Sequence, residues 1–160
     1  MSLTTADPVT LPVRLRRIAY RCAYVGLRVY WFLFRPTANG VKCVLTDGDQ
    51  VLLVRHTYGP RAWDLPGGSV KAGESPVTAA QREMHEELGV SVDSWRLLGE
   101  LRAVIDFRKD RVHCFQAELQ SPRIRIDQGE LSDAGWFRWT ELPRVGSYTQ
   151  RILALVQAPA

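Results

Sequence analysis

The stretch "GGSVKAGESPVTAAQREMHEELGV", Gly67 to Val90, decides the fold of this chain. It concentrates four glutamates in a protein whose formal net charge is +4. Ser75 and Pro76 read as an N-cap and first helical position, and Gly89 reads as the stop, so a helix is expected over Pro76–Leu88. Positions three and four apart share a helix face. Glu83, Glu86 and Glu87 therefore project from one side, within roughly 100° of arc. Three carboxylates so close repel one another unless a cation sits among them, and hard oxygen donors of this kind suit magnesium or manganese. A solvated acidic face is the bland alternative. Glu74 and Arg82 offer an ion pair that pins the preceding loop to the helix, and backbone carbonyls of the upstream "PGG" offer a further ligand.

Outward from this stretch the chain alternates strand and turn signals. "VKCVLTD" from Val41 reads as a strand, "DGDQ" as a hairpin turn, and "VLLVRH" as a β-branched strand ending at His56. "TYGPRAW" reads as a loop and "DLPGG" as a tight turn that needs glycine. "WRLLGELRAVIDF" and "RVHCFQAEL" read as strands paired across "RKD". "GWFRWT" reads as a late short strand, and "SYTQRILALVQA" as a terminal helix. "PTANG" reads as a linker or turn. Several strands and two helices in the body argue for a mixed α/β sandwich.

The full pattern is G-x5-E-x7-R-E-U-x-E-E-x-G-U, with U a bulky aliphatic, on Gly68, Glu74, Arg82, Glu83, Met84, Glu86, Glu87, Gly89 and Val90. Average residue frequencies put a chance match on the order of 10⁻⁷, so the bland alternative gives way. The chain resembles a Nudix hydrolase, with the 23-residue Nudix box complete from Gly68 to Val90. "VLLVRH", "WDLPGG" and the late "GWF" before "ELP" extend the resemblance over about residues 40–142. The resemblance implies an α/β/α sandwich with a mixed sheet, a magnesium cofactor (or manganese), and cleavage of a diphosphate joining a nucleoside to another moiety. It implies that Glu83, Glu86 and Glu87 hold metal, with the Gly67 carbonyl as an extra ligand. Gly68, Glu74, Arg82 and Gly89 would be structural. The resemblance implies that the general base is either a box glutamate or an acid on a later loop. Glu130, six residues before Trp136, resembles the late glutamate found at that spacing in some members, and Asp127 and Asp133 compete with it. A nucleotide sensor that binds without cleaving is the alternative; it would be expected to lose box carboxylates, and none is lost.

Arg55, Tyr58 and Arg61 are the substrate-binding candidates, because arginine pairs with phosphate and an aromatic ring stacks on a base. Trp63 reads as core beneath the turn. His56 ends a strand with no partner at metal-ligand spacing, His85 points away from the metals, and His113 and Cys114 belong to strand packing. Substrate markers of the family's narrower branches are missing, and Asn39, the single asparagine, lies before the fold.

The basicity is local. Residues 1–36 hold six arginines against Asp7, a surplus of five, whereas the remainder holds 15 bases and 16 acids. A nucleic-acid-binding body would spread its basic patch, so no nucleic-acid partner is expected. The chain is therefore divided into an extension, 1–36, and a hydrolase domain, 37–160. Val13 to Phe34 reads as an amphipathic helix with Arg14, Arg17, Arg21, Arg28 and Arg35 within roughly 60° of one another. Arg21 and Arg28 argue against a membrane-spanning helix. The segment over residues 13–35 either packs on the sandwich or across a homodimer interface, lies on an anionic membrane, or meets a protein partner. Three cysteines without a Cys-x-x-Cys pair suit a reducing compartment, so the expected location is cytoplasmic, with membrane-peripheral contact as the alternative.

Overall fold

The computed structural model describes residues 12–60, 62–105, 107–120 and 123–157. In chain order these form α1 (Val13–Phe34), β1 (Thr37–Asp47), β2 (Gln50–His56), α2 (Pro76–Leu88), β3 (Arg96–Ile105), β4 (Arg108–Glu118), β5 (Leu131–Arg138) and α3 (Ser147–Gln157). The five strands form one sheet in the order β3-β4-β1-β2-β5. β1 runs parallel to β4 and the other pairs are antiparallel, so the sheet is mixed. Alternation along the strands splits the core in two. Val41, Cys43, Leu45, Leu52 and Val54 pack with Met84 and Leu88 of α2 on one face. Val44, Val51, Leu53 and Val112 pack with Ile152 and Leu153 of α3 on the other. The result is an α/β/α sandwich, with α1 added outside it. Burying Met84 or Leu88 completely contributes about 1.5–3 kcal/mol each and fixes α2 against the sheet.

Local signals account for the bounds of α2. The Ser75 hydroxyl accepts the Thr78 N–H at 3.2 Å, and Gly89 at φ 66° turns its N–H back to the His85 carbonyl. Three sequence expectations shift. "PTANG" is not a linker: Thr37 already pairs with Lys109 in the β1–β4 ladder, and the ladder outweighs the poor strand propensity of Asn39 and Gly40. "RKD" is strand rather than turn, because β3 and β4 pair as far as Ile105 and Arg108. The late strand begins at Leu131, earlier than "GWFRWT", because Leu131 is already opposite His56. The starts of β1, β4 and β5 and the ends of β2 and β3 therefore meet at one end of the sheet.

Helix α1 crosses that end. Arg16 pairs with Asp127, Arg17 Nε donates to the Gln128 carbonyl at 3.0 Å, and Arg21 Nε donates to the Thr57 carbonyl at 3.1 Å. Tyr20 and Tyr24 lie 5.8 and 5.5 Å from the Tyr58 ring, and Phe32 meets Phe107 at 5.1 Å beside the β3–β4 hairpin. Two arginines of the stripe thus turn inward, joined by Arg16 from outside it. Among the described residues no helix is long and apolar enough to cross a membrane.

Candidate metal and phosphate site

Arg82 organises the near half of the site. Its guanidinium grips both Glu74 oxygens at 2.9 Å, and reaches Glu83 Oε1 at 2.8 Å, Glu86 Oε2 at 3.1 Å and the Ser69 carbonyl at 2.9 Å. The forked bonds from Arg82, with the Lys71 N–H, hold the Glu74 carboxyl at about 2. Glu83 is buried and Glu86 is exposed, so the box carboxylates span the rim of the site. Gly68 lies against Glu83: a Cβ there would stand 2.4 Å from the Glu83 carboxylate. At Gly67, φ +141° and a would-be Cβ 2.2 Å from the Val41 carbonyl exclude a side chain. The Pro66 and Gly68 carbonyls accept from Cys43 and Val41 of β1, while the Gly67 N–H donates to Glu87 Oε2 at 3.1 Å. The Gly67 carbonyl is the expected metal donor, and the amide of the same residue is what contacts Glu87.

Glu87 anchors the deeper half. It is 1% exposed, and its Oε1 has no hydrogen-bond partner among the described residues. Burial first, and then the charge of Glu130, raise its carboxyl well above the ordinary range. Glu130 arrives from the turn before β5, is raised chiefly by burial, and accepts the Tyr58 hydroxyl at 2.9 Å. Ligand atoms of His56, Glu87 and Glu130 all lie within 4.8 Å of one another. Of the competing acids, Asp127 is taken by Arg16 and the Gly129 N–H, and Asp133 is exposed on β5.

A divalent cation fits this donor set. The orphaned Glu87 oxygen is an unsatisfied acceptor in a place that water scarcely reaches, and two raised carboxyls are those that a nearby cation would stabilise as anions.

Further residues were not legible as part of the site. The absence of a sequence-spaced partner for His56 misleads, because its partners come from α2 and the loop before β5; alternation from Leu52 and Val54, which pack under α2, was the available signal. Burial, then the Lys42 charge, lower His56 to about 4. Lys42 Nζ bonds Asp64 Oδ2 and the Leu65 carbonyl, both at 2.7 Å, and Thr149 bonds Asp64 Oδ1 at 2.7 Å, fixing the loop that carries Gly67. A cavity of about 610 Å³ opens on the same end, lined among others by Thr37, Asn39, Arg102, Lys109 and Arg111. Asn39 thus lies within the fold, in β1, and its carbonyl accepts the Val70 N–H at 3.0 Å beside the box.

The substrate candidates separate. Tyr58 reaches the carboxylates through Glu130, but Arg55 lies 4.4 Å over the Trp63 ring, and Trp63 packs in the α3-side core. Arg61 lies outside the described residues.

Comparison with known proteins follows the same outline. The NUDIX domain model matches residues 36–156. An ADP-ribose pyrophosphatase of Mycobacterium tuberculosis is 34% identical over 95 residues, covering 56% of this chain and 45% of that protein. An NAD-capped RNA hydrolase NudC of Pseudomonas aeruginosa is 34% identical over 125 residues, covering 77% of this chain and 42% of that protein. The chain spans about half the length of the curated relatives it matches. A MutT NUDIX hydrolase structure from Burkholderia pseudomallei superposes with a TM-score of 0.70 at 25% identity, over 75% of this chain and 98% of that one. With its domain match, its box and its sandwich in agreement, the chain belongs to the Nudix family.

Proposed function

We propose that this chain is a magnesium-dependent hydrolase, able to use manganese, that cleaves the diphosphate linkage of a nucleoside diphosphate joined to another moiety. The observation that carries this reading is the buried Glu87, with its orphaned oxygen, next to the half-buried Glu130 and beside the Arg82-held Glu83 and Glu86. Glu83, Glu86 and Glu87, with the Gly67 carbonyl as an extra donor, would hold the metal, which when bound supplies charge neutralisation for the diphosphate and activation of water. Arg82 orients Glu83 and Glu86, and the Gly67 N–H orients Glu87. Glu130, raised by burial and steadied by the Tyr58 hydroxyl, takes the proton from the attacking water. Arg102, Lys109 and Arg111 draw the anionic substrate into the cavity, where Asn39 offers an amide for recognition.

The hydrolase unit on this reading is residues 37–160, and 1–36 is an accessory extension in a cytoplasmic protein. Exposed Ile18, Val25, Val29 and Leu33 on α1, with the arginine surplus, support contact of residues 13–35 with an anionic membrane surface more than with a second copy. Co-sedimentation with anionic vesicles, set against neutral ones, tests that contact. The function is tested by magnesium-dependent turnover of a panel of nucleoside triphosphates, ADP-ribose, dinucleotides, nucleotide sugars and coenzyme A, with Glu87→Gln as control. Turnover of one class, lost in the control, supports the reading; tight nucleotide binding without any turnover would point to a sensor instead.

A further inference from the structure

We infer that His56 is a nitrogen ligand of the divalent ion, paired with Glu87, so that this site has a mixed nitrogen and oxygen donor set. The inference rests on the metal-dependent reading above and deepens it. Three groups come together, His56, Glu87 and Glu130, with ligand atoms within 4.8 Å of one another. Two of them hold buried atoms without a hydrogen-bond partner: Glu87 at Oε1 and His56 at Nδ1. Glu130 differs, because its Oε1 already accepts the Tyr58 hydroxyl. His56 and Glu87 are thus the two members of the cluster that carry an unpartnered buried atom, the pair that a cation would complete, with Glu130 beside them as proton acceptor. A buried polar atom without a partner costs about 1–3 kcal/mol, and a cation held between these two neighbouring side chains would satisfy both. Backbone placement agrees. His56 ends β2, on the strand that carries Leu52 and Val54 beneath α2, and Glu87 is presented by the buried face of α2. An imidazole donor suits transition-metal ions better than magnesium, which prefers oxygen. The pairing thus favours manganese over magnesium at this position.

The test uses the full chain loaded with Mn²⁺ and pulsed electron paramagnetic resonance, which detects directly coordinated nitrogen. Wild type should show a nitrogen coupling that changes when histidine alone is labelled with ¹⁵N. The coupling should vanish in His56→Gln and persist in His85→Gln and His113→Gln. Mn²⁺ affinity should fall roughly tenfold in His56→Gln, while Mg²⁺ affinity shifts by less than about threefold. If His56→Gln fails to fold, the labelled coupling, retained in both His85→Gln and His113→Gln, still assigns the ligand, because the chain has three histidines. Mn²⁺ binding that requires Glu87 but shows no histidine coupling would overturn the inference and leave the hydrolase reading standing. No Glu87-dependent binding of either ion would overturn both.

Discussion

Helices α1 and α2 border the same end of the sheet, yet they are held there by different forces. α2 buries Ala79, Ala80, Met84 and Leu88 with Glu83 and Glu87, whereas α1 buries no residue. α1 is held through arginine bonds to Thr57, Asp127 and Gln128 and through tyrosine rings on Tyr58. Apolar burial is worth kilocalories per side chain, and partly exposed ion pairs are worth fractions of one. The carboxylates are therefore set on the most firmly packed helix of the pair. The helix that touches Tyr58 and the turn before Glu130 is the one most easily shifted.

Several changes would break or sharpen that contrast. The largest effect is expected from Glu87→Gln, which should cut kcat by about a thousandfold. Metal-free Glu87→Gln should melt no lower than wild type, because an orphaned buried carboxylate gives way to a neutral amide. Undiminished turnover would remove Glu87 from the chemistry. Next, Met84→Ala should cost about 2–5 kcal/mol in urea unfolding. Val25→Ala, on the exposed face of α1, should stay within about 0.5 kcal/mol. Comparable losses from the two would show that α1 is as firmly packed as α2. Arg16→Ala should cost at most about 1 kcal/mol at low salt, and the difference should fade in concentrated salt. A salt-independent loss would mean that Arg16 contributes by packing.

The smallest effect concerns pH. Arg82 bonding holds Glu74 at about 2, below its ordinary 4.5. A carboxyl depressed in the folded state stabilises it above the unfolded value, and that contribution is lost as pH falls through the folded value. Melting temperature should therefore decline from about pH 4.5 towards pH 2, and Glu74→Gln should flatten part of that decline. An acid limb unchanged by the substitution would show that the Glu74–Arg82 fork contributes little to stability.

By itself the sequence determined α2, its caps and the shared face of its glutamates, because caps and periodicity act within a few residues of one another. It also determined that strands precede and follow the box, since β-branched runs and glycine turns are local signals. Tertiary structure alone decided the parallel β1–β4 pairing that drew "PTANG" into the sheet, and the convergence of His56, Glu87 and Glu130 from three segments. It also decided the separation of Arg55 from Tyr58, and the seating of α1 across the carboxylate end. Alternation tells that His56 shares a strand face with Leu52 and Val54. Which helix covers that face depends on strand order and layer packing, and those are set by the burial of distant segments against each other.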